Sequence, residues 1–210
     1  MTRPTVQSAY DAWSVTYDSD VNATRDLDQV VTRTVLAGRQ FDRVLEIGCG
    51  TGKNTALLTQ LAPRVLGLDL SAGMLAQARV RNLGSAVAFV QADITRPWPI
   101  APGRFDLITF NLVLEHVEEL NFIFKQAALA AGPAGQVFIC ELHPFRQYLG
   151  RRATFERAGE QVQPPAFTHH LCDFTRAAEQ AGLNLLRFDE WWDDAERRRP
   201  PRIVSFLFAR

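Results

Sequence analysis

The fold is decided by the stretch VLEIGCGTG, Val44–Gly52. Its apolar, β-branched start is typical of a strand buried in a parallel sheet. Three glycines then alternate with other residues, at Gly48, Gly50 and Gly52, where glycine permits positive φ and lets a ligand approach the bare backbone. Residues 54–58 begin a helix. This order of strand, glycine turn and helix N-terminus predicts the nucleotide-binding corner of a doubly wound α/β sheet.

The glycine spacing and two acids indicate which nucleotide would bind. A dinucleotide fingerprint reads G-x-G-x-x-G, whereas this chain reads G-x-G-x-G. Glu46 precedes the first glycine by two residues, where it would repel a pyrophosphate and attract a cation. Asp69 ends the apolar run 65–68 and can accept hydrogen bonds from both ribose hydroxyls. These features fit a ribose that carries a sulfonium and an amino acid better than the cofactor of a nicotinamide dehydrogenase.

Four motifs in order extend this pattern over residues 41–142. They are EIGCGTG from Glu46, DLS from Asp69, ADI from Ala92, and FDLITFNLVLEH from Phe105 to His116. With them the chain resembles the class I S-adenosylmethionine-dependent methyltransferases of small-molecule type. The resemblance implies a Rossmann-like, doubly wound, seven-stranded mixed sheet with an antiparallel last strand and helices on both faces. It also implies S-adenosyl-L-methionine as cofactor and S-adenosyl-L-homocysteine as product.

The resemblance assigns a part of the cofactor to each motif. The glycine turn with Glu46 and Thr51 would hold the methionine end, and Asp69 would hold the ribose. Asn111 and Leu112 would supply backbone beside the sulfonium. The expected cofactor-binding residues are Tyr17, Glu46, Gly48, Cys49, Gly50, Thr51, Gly52, Asp69, Leu70, Met74, Ala92, Asp93, Ile94, Asn111 and Leu112.

Two of the residues expected beside the adenine, Asp93 and Met74, each have a second interpretation. By resemblance, Asp93 accepts a hydrogen bond from the adenine amino group while Ile94 packs on the ring. Asp93 could instead only cap the turn before Thr95. Leu70 and Met74 lie where the ring is usually sandwiched, although Met74 could equally be ordinary core.

Residues 1–40 are predicted to form two helices that act as a lid. The first, over residues 8–18, carries an aromatic stripe that includes Tyr10 and Tyr17. The second spans about residues 24–37. Packing alone could explain the stripe. The resemblance to the lid helix of small-molecule methyltransferases would instead direct Tyr17, and with it Tyr10, to the methionine end.

His116 is the candidate catalytic residue. It follows the fourth predicted strand, residues 105–110, whose C-terminal end faces the ligand crevice of an open α/β sheet. A neutral imidazole can take a proton from an attacking hydroxyl or amine. His116 could instead only bond backbone or line the pocket, because methyl transfer needs little beyond alignment. Leu112-Val113 replaces the two prolines and aromatic residue of methyltransferases that act on nucleic-acid bases, which disfavours that subclass.

The middle of the chain continues the alternation of helix and strand. A helix is predicted from Val117 to Ala131, where Gly132-Pro133 would end it. The fifth strand is then expected over residues 135–142. Together with residues 41–134 this completes the expected cofactor-binding core, 41–142.

The remaining residues are expected to complete the sheet and cover the substrate. Residues 143–170 have little periodicity and predict an insertion that lids the pocket. Residues 171–210 predict a helix and a β-hairpin, with strands at 183–191 and 202–208, the source of the antiparallel strand. Candidate substrate contacts, each of which could instead be an ordinary polar surface residue, are His143, Arg146, Tyr148, His169, His170 and the run Arg197–Arg199.

Metal chemistry and disulfides are not expected. The four histidines have no spacing of a known ligand set, and no carboxylate is locked into their pattern. The three cysteines, Cys49, Cys140 and Cys172, are far apart and contain no C-x-x-C pair. This usage suits a reducing compartment, and we expect a cytoplasmic protein.

Composition agrees with one globular domain over residues 1–210. The chain has 210 residues, 47% of them hydrophobic, and its 23 basic residues equal its 23 acidic ones. A net charge of zero gives no long-range attraction to nucleic acid or an anionic membrane. No apolar run approaches the length of a membrane span. We expect a monomer or homodimer that acts on a small-molecule acceptor.

Two other functions stay open at this stage. A protein or RNA methyltransferase would need a contiguous basic groove. A non-catalytic module that binds S-adenosylmethionine would show tight affinity without turnover.

Overall fold

Seven strands form one mixed sheet in the computed structural model, which describes residues 4–157 and 159–210. These seven strands are β1 Arg43–Ile47, β2 Arg64–Asp69, β3 Val87–Gln91, β4 Phe105–Asn111, β5 Ala131–Leu142, β8 Asn184–Trp191 and β9 Ile203–Ala209. Two short strands, β6 Phe155–Arg157 and β7 Glu160–Val162, pair with each other in a separate sheet. The helices are α1 Val6–Trp13, α2 Ala23–Leu36, α3 Lys53–Leu58, α4 Ala72–Val80, α5 Leu120–Ala130, α6 Pro144–Tyr148 and α7 Leu171–Gln180.

The sheet has the order β3-β2-β1-β4-β5-β9-β8. β1 pairs in parallel with both β2 and β4, so the strand order reverses between them. β9 runs antiparallel to β5 and β8 and lies between them. The predicted doubly wound mixed sheet with an antiparallel last strand is therefore confirmed. In such sheets the ligand crevice lies beyond the carboxyl ends of the strands, next to the reversal.

Helices cover both faces of the sheet, as predicted. On one face α2 buries Val31 and Val35 among side chains of β1, β2, β4, β5 and β9. On the other face α5 and α7 bury Phe124, Ala127 and Phe174 in the larger core. The central strands are covered on both sides, and this explains their nearly continuous apolar sequences.

The turn after β1 requires glycine. Gly48, Gly50 and Gly52 have φ of 70°, 53° and 78°. A Cβ on Gly48 would lie 2.6 Å from Cγ2 of Val113, in the turn after β4. The first two peptide N–H groups of the turn, at Gly48 and Cys49, donate to the Leu68 carbonyl of β2. The turns that follow β1 and β4 can therefore meet only because the first carries no side chain.

The first helix is shorter than predicted. It ends at Trp13, and residues 14–19 form turns instead of continuing to Asp18. The guanidinium of Arg25 donates to the carbonyls of Tyr17 and Asp20. The chain therefore turns around Arg25. Its guanidinium donates the hydrogen bonds that backbone N–H groups would donate in a continuing helix.

Helix α5 ends where it is predicted to end, but it begins later and β5 begins earlier than predicted. Val117 and Glu119 have extended backbone, so α5 begins at Leu120. The helix ends at Ala130, as Gly132 and Pro133 indicate, but β5 starts at Ala131 instead of Gly135. The pairing of β4 with β5 shifts between Phe105 and Leu107, and this irregularity accommodates the glycine and the proline.

Residues 143–170 contain more regular structure than their sequence indicates. They include the short helix α6 and the two-stranded sheet of β6 and β7. Phe155 of β6 stacks on Trp13 of α1, with ring centroids 4.7 Å apart and planes 11° apart. The insertion therefore packs on the first helix.

Helix α1 is fixed to the N-terminus of α4. Oδ1 of Asp11 accepts hydrogen bonds from Ser71 Oγ at 2.6 Å and Gly73 N at 2.9 Å. A Cβ on Gly73 would lie 2.7 Å from Ser14 Oγ, so the two helices touch at a glycine. Ser71 also caps its own helix by accepting from Met74 N, as predicted.

Glu141 of β5 fixes the turn that follows β4. Its Oε1 accepts from the peptide N–H groups of Val113 and Leu114, both at 2.9 Å. Burial raises the pKa of Glu141 to about 8, although these two hydrogen bonds oppose the rise. The turn then leads into a 3-10 helix, Leu114–His116.

Among residues 4–157 and 159–210, no helix is both long and apolar enough to span a membrane.

Replacing Asp11 with Ala should release α1 from α4. The substitution removes two hydrogen bonds at a helix N-terminus, worth on the order of 1–2 kcal/mol together. We expect faster amide exchange across α1 while the sheet keeps its protection. The control is Asp26→Ala, which removes only the exposed ion pair of Asp26 with Lys53. Equal exchange in both variants would show that Asp11 does not fix α1.

Replacing Glu141 with Gln should reduce the pH dependence of stability. The ordinary pKa is 4.5 and the folded value is about 8, so stability from this group is present below 4.5 and lost as the pH rises through about 8. The free energy of unfolding of the variant should fall less over this interval. Chemical denaturation at several pH values measures it, with exposed Glu119→Gln as the control. An unchanged slope would argue against a buried carboxyl at this position.

Candidate active site

A cavity of about 270 Å³ lies beyond the carboxyl ends of the parallel strands. Residues from all four sequence motifs meet there, together with α1. Predicted site residues that line it are Tyr17, Gly48, Gly50, Asp69, Leu70, Met74, Ala92, Asp93, Ile94, Asn111, Leu112 and His116. The sequence motifs therefore converge on one cavity, which we call the first cavity.

Four predicted residues do not line the first cavity. Glu46, Cys49 and Thr51 line a smaller cavity of about 50 Å³ beside it, which we call the small cavity. Gly52 lines neither, because it packs toward α4 and a Cβ there would lie 3.3 Å from that of Ala78. Its positive φ starts α3.

Asp69 ends β2 and lines the first cavity. Its Oδ2 accepts from Gly50 N and its Oδ1 from Ser71 N, both at 2.8 Å. Burial raises the pKa of the Asp69 carboxyl, while these hydrogen bonds oppose the rise. Each carboxylate oxygen can accept a second hydrogen bond. The carboxyl is thus held rigidly and keeps acceptor capacity toward the cavity.

Asp93 caps a turn and Met74 packs in a core cluster, and both residues also line the first cavity. Oδ1 of Asp93 accepts from the N–H and the hydroxyl of Thr95, which is the capped turn. The same residue lines the cavity. Met74 is 1% exposed and belongs to a core cluster with Trp13, and it also forms part of the cavity wall. Capping and packing therefore do not remove either residue from the site.

The small cavity combines buried acids with a buried cation. Glu46 accepts a hydrogen bond from the Thr55 hydroxyl, and burial raises its pKa to about 8. Asp28 accepts from the side-chain amides of Asn54 at 2.7 Å and Asn111 at 2.6 Å. Arg25 lies on the opposite part of the lining.

Several polar atoms around the small cavity lack a partner. Among the described residues, Nε of Arg25 and the side-chain carbonyl oxygens of Asn54 and Asn111 are buried without a hydrogen bond. Orphaned buried donors and acceptors are costly, and they commonly mark ligand sites. One free donor and two free acceptors match a group that carries both a carboxylate and an ammonium.

His116 forms two hydrogen bonds through its ring. Nδ1 lies 2.7 Å from the carbonyl oxygen of Pro165, and Nε2 lies 2.7 Å from the hydroxyl of Tyr10. A carbonyl only accepts, so Nδ1 carries the proton of the neutral ring. Nε2 is then the acceptor for Tyr10. The imidazole is thereby held in one tautomer. The Tyr10 hydroxyl connects it by a hydrogen bond to the cavity.

A second cavity of about 390 Å³ adjoins the first. Tyr10, Tyr17 and Leu112 line both. The second cavity also has Trp13 and the buried acid Glu115 in its wall. Its arginines are Arg25, Arg146, Arg151, Arg152, Arg199 and Arg202.

Most of the predicted substrate contacts lie outside the cavities. His143 pairs with Glu190 at 2.8 Å, and the Nε2 atom of His169 lies 2.7 Å from the Val117 carbonyl. Tyr148 hydrogen-bonds His170 near the surface. These four residues hold the insertion together instead of lining a cavity. Arg146 and, in the loop 197–199, Arg199 do line the second cavity.

No sequence pattern indicates several of the lining residues. Val6, Gln7 and Thr95 line the first cavity, and Arg25 and Asp28 line the small one. These residues belong to the two N-terminal helices or to a loop. Glu115, which lines the second cavity, is 7% exposed. Within the described residues, no group of three or more metal-ligating side chains occurs.

Comparison with known proteins identifies the family. The model of the methyltransferase domain matches residues 45–139. A ubiquinone biosynthesis O-methyltransferase of Xanthomonas euvesicatoria is 31% identical over 197 residues, covering 87% of this chain and 80% of the relative. An uncharacterized methyltransferase of Emericella nidulans is 26% identical over 244 residues, covering 96% and 84%.

Solved structures share the fold at lower identity. The DhpI–SAM–HEP complex has a TM-score of 0.75 at 24% identity and covers 97% of this chain and 94% of that one. An S-adenosylmethionine-dependent methyltransferase of Mesorhizobium loti has a TM-score of 0.73 at 22% identity, covering 86% and 96%. The sequence match, the fold and the converging motifs agree, and the chain belongs to the class I S-adenosylmethionine-dependent methyltransferases.

Proposed function

We propose that this methyltransferase acts on a small-molecule acceptor bound in the second cavity, with Tyr10 and His116 as a proton relay. The observation that carries the proposal is the junction of the two cavities at Tyr10, Tyr17 and Leu112. An acceptor in one cavity and a cofactor in the other would meet there. A volume of about 390 Å³ is in the range of small-molecule pockets.

The small cavity would hold the amino-acid end of S-adenosylmethionine. Arg25 would donate to its carboxylate through the unpartnered Nε. The free carbonyl oxygens of Asn54 and Asn111 would accept from its ammonium, and the nearby acids Glu46 and Asp28 would favour that positive charge. Glu46 accepts from Thr55 through Oε2, so its other oxygen would be a further acceptor for the ammonium.

The first cavity would hold the nucleoside. Asp69 would accept from the ribose hydroxyls with the lone pairs that its two backbone donors leave free. Leu70, Met74 and Ile94 would form the apolar faces around the adenine, and Asp93 would accept from its amino group. When bound, S-adenosylmethionine supplies a methyl group that is already activated on a sulfonium.

The Tyr10–His116 pair can remove the proton of the acceptor. Burial raises the pKa of the Tyr10 hydroxyl well above its ordinary value, so the phenol is a neutral donor. It would take the acceptor proton on its oxygen while passing its own proton to Nε2 of His116. The imidazolium formed would lie 3.9 Å from Oε1 of Glu115, whose charge would stabilise it.

The relatives support an oxygen acceptor on a small molecule. The Xanthomonas relative is named as an O-methyltransferase of ubiquinone biosynthesis. A hydroxyl also suits the relay, since a hydroxyl must lose its proton as it is methylated.

Replacing Asp69 with Ala should weaken cofactor binding. The loss of a buried, charged hydrogen-bond acceptor should raise the Kd of S-adenosylhomocysteine by about tenfold or more, measured by calorimetry. Asp106→Ala is the matched control, because Oδ2 of Asp106 also accepts two backbone N–H groups, from Asp42 and Arg43, away from the cavities. If both variants bound the product equally well, Asp69 would not be the ribose ligand.

Replacing Tyr10 with Phe should slow methyl transfer and spare cofactor binding. Loss of the relay should lower kcat by on the order of 100-fold, with transfer of labelled methyl to a panel of hydroxylated small molecules as the assay. His116→Asn should give a similar loss. The control is Tyr148→Phe, which breaks the tyrosine–histidine pair with His170 outside the cavities. A Tyr10→Phe enzyme with wild-type kcat would exclude the relay.

A further inference from the structure

The second cavity is strongly basic. Six arginines contribute to its wall, and Glu115 is the one carboxylate among its lining residues in the described ranges. The arginines come from distant parts of the chain. Arg25 belongs to α2, three others to the insertion 143–170, and two to the loop before β9 and its start. The whole chain has equal numbers of acids and bases, so this cavity concentrates one sign.

Only part of this positive charge is neutralised within the protein. Arg202 and Arg146 share the carboxylate of Asp193. Arg25 donates to two backbone carbonyls and is not in an ion pair. Across residues 4–157 and 159–210, the guanidinium groups of Arg151, Arg152 and Arg199 make no ion pair or hydrogen bond; these three are the free arginines of the cavity.

The arginines are close enough to repel one another. Burial lowers the pKa of Arg146, and the positive charges of Arg202, Arg199 and Arg151 lower it further, against the opposing effect of Asp193. Glu115 faces the same space, where the charge of Arg152 opposes the rise in its pKa that burial causes. A bound anion would relieve the repulsion among the arginines.

The basic wall adjoins the junction with the cofactor cavity. The junction residues Tyr10, Tyr17 and Leu112 belong to the same lining as the free arginines. One end of a small molecule can therefore contact the arginines while its other end reaches Tyr10. Trp13 and Leu142 add apolar surface to the same lining.

We propose that the acceptor is a small organic anion whose carboxylate or phosphate-type group is bound by Arg151, Arg152 and Arg199. The inference rests on the proposed function, because it takes the second cavity as the acceptor site. Arginine binds both oxyanion types through paired N–H groups, so the shared chemistry is a planar or tetrahedral group of acceptor oxygens. The methyl-accepting hydroxyl would lie at the other end of the molecule, next to Tyr10.

A nucleic acid is the other anion that arginines bind. The arginines line a bounded cavity between α2, the insertion and the loop before β9, whereas a nucleic acid tracks an extended groove. The observations favour the small anion, and the experiment includes RNA as a competitor.

The test uses calorimetry on the full chain saturated with S-adenosylhomocysteine. The probes are phenyl phosphate, benzoate and the neutral benzyl alcohol. We expect at least one anion to bind at least tenfold more tightly than benzyl alcohol, and binding to weaken as salt is raised. Arg199→Gln and Arg152→Gln should each weaken anion binding by roughly tenfold.

The matched control is Arg198→Gln. Arg198 is the exposed neighbour of Arg199 in the same loop, pairs with Glu196 and does not line the cavity. Its substitution should leave anion binding unchanged. The three substituted residues, Arg152, Arg198 and Arg199, are exposed. Thermal unfolding of each variant checks that the fold is intact.

Three results would overturn the proposal. They are equal affinity for benzyl alcohol and the anions, equal losses in Arg198→Gln and Arg199→Gln, or displacement of phenyl phosphate by a single-stranded oligoribonucleotide that binds more tightly. Failure to bind S-adenosylhomocysteine would instead contradict the proposed function. The anion titration repeated without that product still decides whether the arginines bind an anion, so the two failures are distinguishable.

Discussion

The close approach of two turns is the constraint on which the crevice depends. Gly48 follows the first strand and has no side chain, and Val113 occupies the space that a Cβ would need. From the next strand Glu141 accepts the peptide N–H groups of Val113 and Leu114. The carboxyl ends of three adjacent strands are thereby fixed together. Every residue proposed for catalysis or cofactor binding is positioned relative to this contact.

What the sequence could predict was local. The glycine turn, the acid at the end of β2 and the cap at Ser71 each depend on a few consecutive residues with a definite backbone requirement. The strands of the sheet could be predicted from runs of apolar residues that are typical of buried strands. Because the strand ends share one edge, these local patterns were enough to place most cofactor-binding candidates around one cavity.

What the sequence could not predict depends on distant contacts. Tyr10 and His116 are 106 residues apart, and no local pattern indicates the hydrogen bond between the Tyr10 hydroxyl and Nε2 of His116. His143 was a candidate for substrate contact, yet it pairs with Glu190, which no local pattern indicates. Gly132 and Pro133 end the preceding helix as predicted, but they also lie within β5, where the pairing shift between β4 and β5 accommodates them. In each case a partner far along the chain overrides the local preference.

The net charge of zero conceals a separation of charge between the cavities. Asp69 and Asp93 line the first cavity, whereas the second is lined by six arginines. The small cavity carries both signs, with two acids beside Arg25 and Lys53. The net charge adds all acids and bases together, so it does not show this asymmetry. For that reason composition alone could not indicate that an anionic ligand would be favoured. A cationic sulfonium favours the acidic side and an anionic acceptor the basic side. The same arrangement disfavours each ligand in the other's cavity, so charge alone can direct the two reactants to opposite sides of Tyr10 and Leu112.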